Sequence, residues 1–435
     1  MPVRWSQQFA AQLHLAVPPD LADWLDSQRW QQPGGGEFHQ PLSPTEILQP
    51  SAGAFWSGCL LPDTVPVIGN DYGDWLCLRV SATNTIAEWI AWSHAGGDWI
   101  GAGPSLAAAL LADARRYTRN PERTGHAAWA ERDSAAGAVD QHGDWAESWL
   151  AQGRGMTGDS ASPERPTQVS QPLPIDAATA REQLLECLDN PLRQQADFRF
   201  AQRLGVAWEP EMASWLFDGA LIPDSWQTPL RHSLNVAHGL PESPLPWGQD
   251  WHGAEQVARR VLDQRRDLSW PFAIAGWACE RRGERQAACE LYYAGLQASA
   301  FTDETARLHS QWASGGQGKF VAARLAQLRD CWNESLRQDE YLTLLIAGAG
   351  KDDLPGQVSA YWWLQGRRAE EAAERQSEPR AWQAAYQAYY RAGWDLGLTR
   401  RSAYPPILEA LVRTARQAGS LAQAAVAQWH LNNLR

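Results

Sequence analysis

The feature that most constrains this chain is a change of period along it. Between residues 62 and 100 the apolar residues come in short runs: Val65 and Val67, then 75–80, then 86–92, then Trp99 and Ile100, separated by NDYGD, SATNT and HAGGD. Short runs joined by turns rich in Gly, Asn and Asp predict an antiparallel meander. From about residue 177 onward, Trp, Tyr, Leu and Ala recur at spacings of three and four, with Pro or Gly breaking the pattern every 12 to 20 residues. That is the pattern of consecutive helices. A chain of 435 residues that changes period in this way is expected to form more than one domain.

The segments around the meander complete the expectation. Helical spacing on either side of Pro18 and Pro19 predicts two short helices, at 9–15 and from near Asp20, and PGGGEFHQP (33–41) reads as a loop. Ser105 is placed to cap a closing helix that runs to Arg116. Gly, Ser, Ala, Pro, Gln and Asp dominate residues 119–180, and SASPERPTQVSQPLPI (160–175) carries too little apolar surface to offset its ordering entropy. The expected architecture is an α+β N-terminal domain at 1–118, an antiparallel sheet with flanking helices. An acidic Pro/Gly/Ser-rich linker follows at 119–180, with one short helix at 145–150, and then an all-α helical-repeat-like domain at 181–435.

The clearest helical unit is SWPFAIAGWACERRGERQAACELYYAGLQASA (269–300). Phe272, Ala275, Gly276 and Cys279 share one face of its first helix, Gly283 marks the turn, and Ala288, Tyr292, Gly295 and Leu296 share a face of the second. Small residues at the crossing let two antiparallel helices approach, with Tyr292 filling the gap beside them. The unit resembles a tetratricopeptide-type repeat. A fainter copy runs over 406–431, with Gly419 and Ala424 in its turn and second helix, and 362–390 fits only loosely.

Charge narrows the range of partners. The net charge is −12, and residues 1–118 hold five Arg against eleven Asp and Glu. Such a field repels nucleic acid and anionic membrane and favours a basic partner. The opening MPVRWSQQFAAQLHLAVPP lacks the basic start and unbroken apolar core of a secretion signal, so the expected location is the cytoplasm. The six cysteines form no CxxC pair, which predicts reduced thiols rather than a zinc or redox motif.

Two glycines and two aspartates crowd into VIGNDYGDWLCLRV (67–80), which raises a phosphate loop or a metal loop as readings. A phosphate cradle needs glycines feeding a helix N-terminus with a Lys or Ser/Thr at hand, whereas Gly69 and Gly73 feed a strand and no Lys follows. A calcium loop needs a distal Glu in reach, and Glu88 lies beyond another turn. Neither HExxH nor GxSxG is present. Carboxylate pairs for glycoside chemistry could be drawn from Asp63, Asp71, Asp74 and Glu88, but any acidic domain offers such pairs. The 25 tryptophans raise a carbohydrate-binding alternative; Trp89 and Trp92 stand at odd spacing on one strand and so face opposite sides, and WGQDWHG (247–253) reads as a Trp cluster in a loop.

The stretch VIGNDYGDWLCLRV, followed by IAEWIAWSHAGGDW (86–99) and GAGPSLAAALL (101–111), with LAVPPDLADWLDSQ and PLSPTEIL upstream, resembles the signature of the SUKH superfamily of Smi1/Knr4-like domains. The resemblance covers about residues 8–116, with one departure: His94 is followed by Ala95 where an acidic residue is common. It implies a protein-binding module, as in bacterial immunity proteins that neutralise a toxin or in fungal regulators of the cell wall. Gly69, Gly73, Gly96 and Gly97 would then serve as turn residues, and Asp71, Asp74, Trp75, Glu88, Trp92, His94, Asp98 and Trp99 are the candidate partner-facing residues. The expectation is a non-enzymatic binding protein without cofactor or metal. Its partner would be a protein, either a basic toxin or a cell-envelope regulator, rather than nucleic acid or membrane. A scaffold that binds several partners through both domains stays open as the alternative.

Overall fold

Short runs and tight turns produce one sheet whose strands are neighbours in sequence order. The computed structural model describes residues 4–50, 55, 60–71, 73–92, 99–119, 140–156, 251–266, 270–297, 320–348, 353–376, 378–394 and 402–434. In it, β1 (Gln40–Pro41), β2 (Thr64–Gly69), β3 (Trp75–Val80), β4 (Ile86–Trp92) and β5 (Trp99–Gly103) pair antiparallel, each with the next. On the N-terminal side lie α1 (Trp5–Leu13), α2 (Pro19–Asp26), α3 (Pro44–Leu48) and α4 (Leu106–Arg119). Ser43 and Glu46 form a reciprocal capping box on α3. At the start of α4, the Ser105 hydroxyl accepts from the Ala108 amide at 3.1 Å, and Asp20 accepts from the Ala107 amide at 3.2 Å.

Alternation along β3 and β4 decides which core each residue joins. Leu76, Leu78 and Val80, with Trp89 opposite Leu78, meet Phe9, Leu21, Trp24 and Leu106 of the N-terminal helices. Cys77, Ile90 and Trp92 sit on the other face, and that face is covered by helices of the C-terminal half. Many antiparallel sheets leave one face to water; here β2 is buried at every position and β3 at all but its first. The odd spacing of Trp89 and Trp92 does send them to opposite faces, and both are buried, because both faces are covered.

One part of the expected linker is structured. α5 (Gln141–Met156) extends well beyond 145–150 and packs on α4, with Trp145 and Ala146 inside the N-terminal core. Its start holds the glycine loop, since Asp140 accepts from the amides of both Gly35 and Gly143, at 2.9 and 3.0 Å. Residues 140–156 therefore belong to the α+β unit, which corrects the linker assignment there.

The described residues of the C-terminal half form helices joined by short turns: α6 (Trp251–Gln264), α7 (Trp270–Arg281), α8 (Arg285–Gln297), α9 (Phe320–Gln327), α10 (Glu334–Gln338), α11 (Glu340–Gly348), α12 (Leu354–Gln376), α13 (Pro379–Trp394), α14 (Tyr404–Gln417) and α15 (Leu421–Leu434). Trp251, His252 and Gly253 begin α6, so that end of the Trp cluster is helix rather than loop. Gly283 and Gly419 occupy the turns of the α7–α8 and α14–α15 hairpins at positive φ, and Ala288, Tyr292 and Ala424 are buried.

The α7–α8 and α12–α13 hairpins share a hydrogen-bonding pattern. In the first, Glu280 of α7 accepts from the Tyr292 hydroxyl of α8 at 3.0 Å and from Arg324 of α9 at 3.2 Å. In the second, Glu370 of α12 accepts from the Tyr389 hydroxyl of α13 at 2.7 Å and from Arg413 of α14 at 2.6 and 3.1 Å. The next tyrosine in each pair bonds an aspartate outside its hairpin, Tyr293 to Asp339 at 3.0 Å and Tyr390 to Asp63 at 2.8 Å. The segments QAACELYYAG (286–295) and QAAYQAYYRAG (383–393) carry this shared pattern. Burial, followed by the neighbouring carboxylate, pushes the Tyr292 hydroxyl above its ordinary pKa. Burial raises the Glu370 carboxyl, but the bonds from Arg413 and Tyr389 outweigh it and hold the carboxyl low.

The two halves share side chains across their boundary. The β3–β4 turn docks on the start of α15: Asn84, at φ 62°, accepts from the Ala422 amide at 2.9 Å, and the Ser420 hydroxyl donates to the Ala82 carbonyl at 3.0 Å. Further along α15, Trp429 donates to the Ile47 carbonyl at 2.9 Å, and His430 Nε2 lies 2.8 Å from the Thr64 carbonyl oxygen.

Candidate functional site

The loop between β2 and β3 is shaped by Asn70 and Asp74. The Asn70 amide donates to the Asp74 carbonyl at 3.2 Å, the Asp74 amide to Asn70 Oδ1 at 2.9 Å, and Asn70 Nδ2 to Asp74 Oδ2 at 3.0 Å. Gly73 takes φ 88°, a left-handed angle that glycine adopts without steric cost. Gly69 answers a different need, because a Cβ there would stand 2.7 Å from the Trp75 ring. Asp71 lies at the tip with its side chain 38% exposed; it accepts from Gln40 Nε2 and stands 3.6 Å from His39 Nε2. The loop leads into β3 and not into a helix N-terminus, so it has no phosphate-cradling geometry.

Of the candidate partner-facing residues, Asp71, Asp74 and Trp75 come together at this end of the sheet. Asp74 and Trp75 are half-buried, and Trp75 packs edge-on against Phe55, with centroids 5.2 Å apart. Phe55 in turn stacks on Trp429 of α15 at 5.4 Å, which ties the loop to the helical half.

Glu88 and Trp92 require correction as partner-facing residues. Both lie on the sheet face that the C-terminal helices cover, with Glu88 8% and Trp92 1% exposed. Glu88 accepts from Arg79 at 2.9 Å and from Arg265, just after α6, at 2.9 and 3.3 Å. Asp63 accepts from Arg79 at 3.0 Å as well as from Tyr390. The chain's own arginines and tyrosine thus occupy the acids of this face. His94, Gly96, Gly97 and Asp98 lie outside the described residues, and Trp99 is described only as the first residue of β5, opposite Trp92.

The sequence reading missed Arg265 and Tyr390 as partners of the sheet acids. No local signal could have found them, because they are 177 and 327 residues from Glu88 and Asp63. The Arg79–Glu88 pair was within reach, since a tight β3–β4 turn sets those residues opposite each other. Among the described residues, no three His, Cys, Asp or Glu side chains are grouped so as to hold a metal ion, and no helix is long and apolar enough to cross a membrane.

Fold and loop together define the class: an α+β unit built on an antiparallel meander, packed against an all-α, repeat-like array through one face of its sheet. Comparison of the chain with models of known families, with curated proteins and with solved structures returned no match.

Proposed function

We propose that this chain is a non-enzymatic, cytoplasmic protein-binding protein of the toxin-neutralising kind that SUKH-like modules resemble, and that it captures a basic protein at the acidic end of its sheet. The observation that carries this reading is the division of the acids. Asp20, Asp63, Glu88, Glu255 and Glu370 are buried and engaged by internal amides, arginines or tyrosines, whereas Asp71 stays exposed on a module with five Arg against eleven Asp and Glu. An exposed acid in a negative field steers a basic partner. Cys77, Cys279, Cys289 and Cys331 are free thiols, which suits a reducing compartment.

The test is affinity capture with the full chain, because separated halves would each expose part of the shared core. Asp71→Lys is combined with Asp74→Asn, which keeps an acceptor for Asn70. One stoichiometric partner, lost in the double variant and weakened by salt, is the expected result. Undiminished capture by the variant would sink the acidic-edge reading, and several partners in comparable amounts would favour a scaffold.

A further inference from the structure

α5 runs beside α2 and the short 3-10 turn Arg29–Gln31, and an open cleft of about 430 Å³ lies between them. That volume falls within the roughly 300 to 1,000 Å³ typical of small-molecule sites. From α5 the cleft is lined by Gln141, Asp144, Trp145, Ser148, Trp149 and Gln152, spaced three and four apart and hence on one helix face. This face carries amides, a hydroxyl, a carboxylate and two indoles. Asp23, Arg29 and Gln32 form the opposite wall.

The wall is already organised. Trp145, 7% exposed, donates through Nε1 to Asp23 Oδ2 at 2.9 Å, and the Ser27 hydroxyl donates to Asp23 Oδ1 at 2.9 Å. Arg29 Nε stands 3.7 Å from the same carboxylate and offsets its charge. One turn further on, the Trp149 ring lies 5.9 Å from that of Trp145 and is only half-buried, so part of its indole stays open to the cleft. Asp144, Ser148 and Gln152 are exposed around it.

The polar groups select the ligand class. Carboxamides and hydroxyls both donate and accept, which matches a ligand that is itself covered in hydroxyls. An anion would meet Asp144, while Asp23 and Arg29 offset each other, so most of the wall is made of indole, amide and hydroxyl groups. The C–H face of a pyranose is apolar and packs on an aromatic ring, while its rim needs such two-way partners. We propose that the cleft binds a neutral saccharide, with one sugar ring on Trp149 and its hydroxyls held by Gln32, Gln152 and Asp144. The site lies apart from the β2–β3 loop and stands independently of the protein-capture reading.

Calorimetry and saturation-transfer NMR on the full chain test this with maltotriose, cellotriose and tri-N-acetylchitotriose, with acetyl-arginine amide as the cationic comparison. Saturable binding of at least one trisaccharide is expected. Trp149→Ala should weaken it about tenfold or more, the effect of removing one stacking face. Gln152→Ala, at an exposed position that leaves packing intact, should weaken it several-fold. The proposal is overturned if none of the three sugars saturates, if both variants bind as the parent does, or if only the arginine amide binds.

Discussion

His430 shows how far burial alone can set the behaviour of a side chain. It is 1% exposed on α15, against the first residue of β2, and burial pushes its pKa down to about 4 although the Thr64 and Leu61 carbonyls favour the proton. The unfolded chain binds that proton near 6.5. Below this pH the unfolded state holds more protons than the folded one, so stability falls from about pH 6.5 down to about 4 and the effect is complete below that. By pH 5 the loss is about 2 kcal/mol. Urea midpoints at pH 7 and pH 5 should therefore drop more in the parent than in His430→Gln; an equal drop in both would assign the acid sensitivity to other groups. Nothing in the local sequence AVAQWHLNN marks His430, because its pKa depends on strands more than 300 residues away.

The recurring element is a helical hairpin with a glycine beneath a tyrosine. A Cβ on Gly276 would lie 2.5 Å from the Tyr292 ring, and one on Gly366 would lie 2.7 Å from the Tyr389 ring. Gly276→Ala and Gly366→Ala should each cost about 1–3 kcal/mol by overpacking, read from urea or thermal unfolding. A neutral Gly366→Ala would argue against the equivalence of the two hairpins. The helices themselves were legible from three-and-four spacing, but a regular period joining the two hairpins was not. Tyr292 follows Gly276 by 16 residues and Tyr389 follows Gly366 by 23. The extra seven are about two helical turns, which preserve the facing sides while erasing any fixed period.

At the scale of the whole molecule, the sheet lies between two sets of helices, and the boundary between the halves is buried. Arg265 reaches from the end of α6 to Glu88, and Tyr390 reaches from α13 to Asp63. Unfolding followed by tryptophan fluorescence and by far-ultraviolet circular dichroism should give one coincident transition. Arg265→Ala, which leaves Glu88 with Arg79 alone, should lower stability by about 1–3 kcal/mol. Two separated transitions in the parent protein would contradict a shared core.

Local chemistry sets a great deal here: the turns NDYGD and SATNT, the cap at Ser105, and the alternation that sends Trp89 and Trp92 to opposite faces are all readable from neighbouring residues. Steric preference, capping and side-chain period act over a few residues, so a one-dimensional reading reaches them. What covers each face is a different matter. Glu88 and Trp92 look available in the sequence, and they are buried because α6 and its neighbours fold back over that side of the sheet. Burial and the pairing of charges depend on residues brought together from distant parts of the chain, and those contacts exist only once the helices and the sheet have packed.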